Sequence, residues 1–267
     1  MKAALSAMTV TTDRKDARRI AQLLQMGWHR PVHAKSVALQ DTRALLVGRK
    51  LLQGKLLDVE LSIRGILRGY GLKVGEVSRG RFEARVQELT AGHATLETVI
   101  GAILTARATL WREFTRLRRE MLKIARADKI CHRLMSTPGV SALVALTYRS
   151  AVDDPTRFGK SSTVGAHFGL TPKKYQSGET DRYGGVSKVG DAIVRTALFE
   201  AAHIMLTRAT RFSSLKRWAL EVAKHRSVKR AKVALALKLG VVLHRMWMDA
   251  TDFRWGATAM TVLRKKR

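Results

Sequence analysis

Two long heptad stripes constrain this chain more than any other feature. Leu52, Leu56, Val59, Ile63, Ile66 and Tyr70 are separated by steps of four, three, four, three and four, with Leu45 one heptad earlier. Leu96, Val99, Ile103, Ala106, Leu110, Phe114, Leu117, Met121 and Ile124 repeat the rhythm with one doubled four-step. Such a seam lays a narrow apolar edge along a helix and requires a second helix to cover it. The doubled step is a stutter, which unwinds a coiled coil locally. At 1.5 Å per residue, each helix should be about 40–45 Å long. Gly54, Gly65 and Gly69 interrupt the first stripe, each costing up to about 1 kcal/mol relative to Ala. The glycine-broken stretch Gly71–Gly92, with a short helix expected at Phe82–Leu89, would close an antiparallel hairpin. The two seams suit packing inside one chain and pairing between two chains equally well.

Charge narrows the partner. Fifty Lys and Arg against 21 Asp and Glu leave a formal +29 over 267 residues, spread along the whole length. That field attracts polyanions. Nucleic acid leads, because neutralised phosphates release counterions; an acidic membrane surface is the weaker alternative. There is no run of 18 or more apolar residues, so no membrane-spanning helix is expected. The opening MKAALSAMTVTTDRKD lacks a convincing signal-peptide core. The single cysteine, Cys131, allows neither an internal disulfide nor a zinc cluster and reads as a small core residue. These features together predict a cytoplasmic protein.

Along the chain, Asp13 can cap a helix that runs to Met26, with Asp16 in its first turn. The same spacing places both carboxylates near one face, where a hard cation could be held through oxygen. His29 and His33 flank Pro31 and read as linker. Leu134–Arg149 reads as helix, tight hairpin and helix around Pro138-Gly139-Val140. Amides at the start of the second helix would be free to bind a phosphate. Asp153-Asp154 before Pro155 form a turn. Asp191–Thr207 is apolar on nearly every side, so it should be a central core helix, with His203 buried or partly buried in it. Phe212–His225 and Val228–Asp249 read as amphipathic helices. They carry Lys216, Arg217, Lys224, Lys229, Arg230, Lys232 and Lys238, a one-sign face suited to a nucleic-acid backbone. The chain ends in a basic LRKKR tail.

Between the helical segments lies GLTPKKYQSGETDRYGGVSKVG, Gly169–Gly190, rich in glycine and in Lys and Arg. It reads as a flexible basic loop. Ser177 is followed by Gly178, which permits close backbone approach, and lies near Lys173, Lys174, Arg182 and Lys188 in sequence. Those cations could stabilise charge on an attacked phosphodiester. Ser187 is more simply an N-cap, and Tyr175 and Tyr183 are alternative hydroxyls.

The elements PGV, GLTP, QSG and SK.G, in this order and spacing within Thr137–Asp191, resemble the C-terminal domain of the insertion-sequence family one-hundred-and-ten transposases, relatives of the Piv DNA invertases. The resemblance covers nearly the whole chain. It implies a mainly α fold: a remnant of a RuvC-like α/β domain at 1–40, a coiled-coil helical hairpin at 41–126, a helical serine transposase domain at 127–255, and a basic tail at 256–267. It implies that Ser177 attacks DNA and forms a covalent phosphoserine link. It implies Mg²⁺ held by DEDD acids, of which TDRKDA supplies Asp13 and Asp16. It also implies DNA as substrate and a structured guide RNA as partner, with Gly139, Lys173, Lys174, Arg182, Lys188 and Arg230 on nucleic acid. A homo-oligomer through the coiled coil is expected. The family's first two acids would precede TDRKDA, and here TDRKDA begins at residue 12; Asp58 and Glu60 lie on the seam helix and do not replace them. The expectation is therefore a truncated copy, binding nucleic acid better than it catalyses.

Overall fold

A computed structural model describes residues 12–28, 32–177 and 179–256, apart from the side chain of Thr180. His29, Gly178 and the LRKKR tail lie outside the described residues. The chain divides into two compact units, Met1–Ser36 and Val37–Arg267.

In the first unit, α1 runs Asp13–Gln25. Its cap is Thr12, not Asp13: the Thr12 side chain accepts from the Lys15 N–H at 3.4 Å. Both Asp13 and Asp16 lie in the first turn, where the helix dipole favours negative charge.

The second unit begins with α2, Val37–Gly69, followed by the short α3, Phe82–Thr90, and by α4, Ala94–Ala127. Helices α2 and α4 pack together as the hairpin the seams required. The buried edge differs from the stripe that apolarity alone picks out. On α2 it runs through Leu46, Leu56, Ile63 and Leu67, and on α4 through Leu96, Ile100, Leu104, Arg107, Phe114, Met121 and Ala125. Tyr70 and Val99, counted as seam residues, are exposed. The displacement has a cause: the true central positions include Glu60 and Arg107, a pair that an apolar count steps around.

Two cores hold the hairpin. At its far end Ile63, Leu67, Val74, Phe82, Val86, Ile100 and Leu104 form a cluster closed by α3. At its near end Leu46, Met121 and Ala125 belong to the same continuous core as the helices that follow. The hairpin is thus rooted in the helical domain.

That domain comprises α5 (Lys129–Met135), α6 (Ala142–Val152), α7 (Ser161–His167), α8 (Ala192–Thr207), α9 (Ser214–Arg226) and α10 (Val228–Met248). Helices α8 and α10 supply its centre, through Val194, Leu198, Ala201 and Met205 on one and Leu235, Leu239 and Leu243 on the other. Fully buried Tyr148 reaches across to donate its hydroxyl to the Gly240 carbonyl at 2.7 Å. Without that acceptor the buried hydroxyl would cost about 1–3 kcal/mol. His203 points out to solvent, on an exposed stripe with Thr196, Glu200 and Thr207. Helix α8 is therefore not buried all round, because its polar residues recur at helical spacing and share one side.

Gly169–Gly190 is not an unstructured loop. Strands β1 (Pro172–Ser177) and β2 (Thr180–Val186) pair antiparallel as a two-stranded hairpin. Among the described residues no helix is long and apolar enough to cross a membrane.

Candidate nucleic-acid interface and serine hairpin

Every position of β1 is exposed. The register pairs Lys174 with Tyr183, Tyr175 with Arg182, Gln176 with Asp181 and Ser177 with Thr180. Opposed residues share a face and neighbours alternate. Lys173, Tyr175, Ser177 and Arg182 therefore lie on one face, and Lys174, Asp181 and Tyr183 on the other. Lys174 is engaged on that opposite face, 3.4 Å from the Asp181 carboxylate and over the Tyr183 ring. Of the cations near Ser177 in sequence, Lys173 and Arg182 share its face of the hairpin. Ser177, paired with Thr180, closes the ladder. Among the described residues, no acid or base is hydrogen-bonded to its hydroxyl.

The foot of the hairpin is rigid. Ser187 N–H donates to the Thr171 carbonyl at 2.9 Å, and Lys188 N–H to the Gly169 carbonyl at 3.1 Å. Gly169 and Gly190 both have positive φ, 65° and 86°, and a Cβ on either would collide with backbone: Val189 in one case, the His167 carbonyl in the other. The chain crosses itself here too closely for any side chain. One Arg195 nitrogen gathers the carbonyls of Phe168, Val189 and Gly190 at 3.0–3.2 Å. Ser187 is part of this foot and not a helix cap. Asp191 caps α8, accepting from Ile193 and Val194, and it is ion-paired with Arg43. Burial alone would raise its pKa; the bonds and charge of Arg43, with the two amides, outweigh that and hold it below the usual carboxylate value. The GLTP and SK.G elements are thus the two halves of one crossing.

Helices α5 and α6 form the expected helix, hairpin and helix. Ser141 caps α6 by accepting from Val144 N–H at 3.4 Å. Gly139 has φ +84°, and its missing Cβ would meet the Ala201 carbonyl of α8. Its glycine is thus explained by packing against α8. Around the α9–α10 junction, Lys224, Arg226, Lys229 and Arg230 are exposed in one run. Lys216 and Lys238 are occupied inside the chain. The first is buried and donates to the Ala209 carbonyl; the second stands 3.4 Å over the Trp218 ring, with burial lowering its pKa.

The sequence profile of the "Transposase IS116/IS110/IS902 family" matches residues 131–218, from α5 through the serine hairpin into α9. The transposase for insertion sequence element IS1111A of Coxiella burnetii is 30% identical over 251 residues, which span 92% of this chain and 69% of that protein. This chain belongs to the IS116/IS110/IS902 transposase family. The "Probable family 20 transposase" of Pseudomonas aeruginosa is 26% identical over 91% of this chain and 74% of its own length.

The resemblance assigned metal to Asp13 and Asp16 of this transposase. Asp16 is tied to Arg19 at 3.3 Å. Among the described residues, no group of three or more His, Cys, Asp or Glu side chains is placed to hold a metal. Mg²⁺ keeps several waters and is commonly held by one or two carboxylates, so Asp13 and Asp16 are donors of the right chemistry for it. Cys131 is fully buried, and its thiol is pushed up to about 12 by burial and by the Asp128 charge, against Arg149.

Sequence reading missed two sets of residues. Arg43, Asp191 and Arg195 brace the hairpin foot, and no motif marks Arg43, which lies about 150 residues upstream on α2. A second set, Arg49, Arg79, Arg118 and Trp111, converges on a cavity of about 390 Å³ between the near end of the α2–α4 hairpin and the start of α6. These four come from three distant segments and have no common spacing.

Proposed function

We propose that this chain acts in DNA transposition, cutting and rejoining DNA through the hydroxyl of Ser177. The observation that carries the reading is the hairpin. It sets Ser177 at an exposed tip, with Lys173 and Arg182 on the same face, above a braced foot. Attack of Oγ on a phosphodiester would form a serine–phosphate ester and release a DNA hydroxyl, while the serine proton passes to a base. Reversal by another DNA hydroxyl rejoins the strand with no external energy source, because one phosphodiester bond replaces another. The cations would stabilise the charge that builds on the phosphate. In this reading Asp13 and Asp16 would hold Mg²⁺, which would supply further positive charge when bound; no step is routed through it.

Nucleic acid is bound mainly by charge. The +29 surface and the exposed run Lys224–Arg230 support DNA, and equally a structured guide RNA, as partner. Self-association is supported by α2, whose outer face exposes Val47, Leu51, Leu57 and Leu61. The second reading is a catalytically inactive DNA- or RNA-binding protein that modulates a longer transposase. It is favoured by the lack, among the described residues, of a third acid grouped with Asp13 and Asp16 and of a base bonded to Ser177.

Trapping on DNA carrying the element's ends, followed by proteolysis and mass spectrometry, separates the two. An adduct on Ser177 that Ser177→Ala removes, with binding retained, establishes the enzyme. Binding with no adduct, even when a longer relative supplies the acids, leaves the binding protein. An adduct on Tyr175, Tyr183 or Ser187 would overturn the assignment of the hydroxyl.

A further inference from the structure

The cavity between the helical hairpin and α6 is lined by two kinds of group. One is cationic: Arg49 from α2, Arg79 from the segment before α3, and Arg118 from α4. The other is aromatic: Trp111 and Phe114 stack with their ring centroids 5.7 Å apart. Ser141, the cap of α6, closes the floor. Some of these groups serve one another. Arg49 lies 4.9 Å from the Phe114 ring centre and donates to Gln53 at 3.3 Å. Arg79 lies 5.7 Å from the Trp111 ring centre and 3.9 Å from Glu60. Among the described residues, neither Arg49 nor Arg118 is ion-paired with a carboxylate.

This arrangement carries an electrostatic cost that an anion would relieve. Burial, and after it the Arg118 charge, disfavour the charged form of Arg49; Glu200 on α8 offsets them only in part. A phosphate alone would leave the open part of Trp111 uncovered. A cavity of about 390 Å³ is within the usual range for small-molecule sites, and Trp111 keeps 38% of its surface open. A planar ring attached to a phosphate answers both kinds of group at once.

We propose that this cavity takes one unpaired nucleotide of a bound nucleic-acid strand, its phosphate among Arg49, Arg79 and Arg118 and its base against Trp111. Bases inside a duplex are stacked on one another and cannot enter, whereas unstacked bases rest readily on aromatic rings and guanidinium planes. The site thus adds a preference for unpaired strand to the charge-driven binding proposed above, on which it rests.

The test measures fluorescence anisotropy of labelled 12-nucleotide oligothymidylate, 12-nucleotide oligouridylate and a 12-base-pair DNA duplex with the full chain. Wild type is compared with Arg118→Gln, Trp111→Leu and the double variant Lys224→Gln/Arg230→Gln. Arg118→Gln and Trp111→Leu should each weaken single-strand binding about tenfold and duplex binding less than twofold. The double variant should weaken all three probes alike. Loss on the deoxy strand, the ribo strand or both tells which strand the site takes. Equal loss on single strand and duplex, or no loss on either single strand, overturns the proposal. Failure of wild type to bind any probe instead overturns the nucleic-acid reading itself. Arg118 is exposed, so its variant decides the matter even if Trp111→Leu melts early.

Discussion

Arg107 on α4 grips Glu60 on α2 with two nitrogens, Nε at 3.0 Å and a terminal nitrogen at 2.8 Å from the same carboxylate oxygen. The arginine side chain is 5% exposed and the glutamate 12%. It also donates to the Arg79 carbonyl at 3.1 Å and stacks on Phe82. The pair sits mid-hairpin, where a coiled coil would ordinarily place two apolar side chains, and it fixes the register between the helices. Arg107→Ala should destabilise the chain by about 3 kcal/mol, because it leaves Glu60 in a nearly dry site with only the longer contact to Arg79. The paired change Glu60→Leu/Arg107→Met should cost far less. Urea unfolding of the three proteins checks this; equal losses for the single and double variants would contradict it.

Gly139→Ala should cost about 3 kcal/mol or more. The residue is held at φ +84°, and an added methyl meets the Ala201 carbonyl; backbone strain and overpacking each contribute about 1–3 kcal/mol. Thermal denaturation measures the loss. A variant as stable as wild type would mean that α6 and α8 are not packed as described.

The Cys131 thiol should be inert in the folded protein. Burial and the Asp128 charge leave almost no thiolate at pH 8. Ellman's reagent should react only as fast as the chain unfolds, and adding denaturant should release one thiol at once.

Asp191 links stability to acid. Its folded pKa is depressed below that of a free aspartate, so its contribution is complete above the unfolded value and is lost as pH falls through the folded one. Asp191→Asn should lower the melting temperature near pH 7 and flatten its fall below about pH 4. Arg43→Gln should reproduce most of the effect. Unchanged acid profiles in both variants would remove the linkage.

Binding to duplex DNA should weaken steeply as salt rises. Arg230→Gln should reduce the slope of log K against log salt by about 1, as expected for one lost phosphate contact. Lys238→Gln, whose amine already stands over Trp218, should leave that slope unchanged. Identical slopes in all three proteins would place the contact surface elsewhere.

The helical framework was legible because its helices alternate between apolar and charged faces. The short helix at Phe82 and the limits of α9 and α10 follow from that pattern within a few residues. The seam was displaced because Glu60, Arg107 and Arg118 occupy heptad positions that apolar counting passes over. The serine hairpin escaped for the opposite reason. Neither of its faces is buried, so β1 and β2 have no apolar alternation to read. Ser187 looked like a cap because it stands just ahead of a helix; Lys188 at φ +57° and Gly190 at φ +86° delay that helix until Asp191 can cap it. The arginine-lined cavity had no sequence signature, since it exists only once residues 49, 79 and 118 are folded together.

The shared core at the near end of the hairpin gives α2 and α4 a mechanical character. A 33-residue helix is about 50 Å long, and this one is clamped at one end among Leu46, Met121 and Ala125. Any tilt at that clamp would be magnified along its length. A tilt of about 5° at Leu46, about 35 Å from the far end at 1.5 Å per residue, carries the tip through about 3 Å. A load on the distal cluster around Phe82 would therefore be felt, geared down but undivided, by the helix that Ser141 caps.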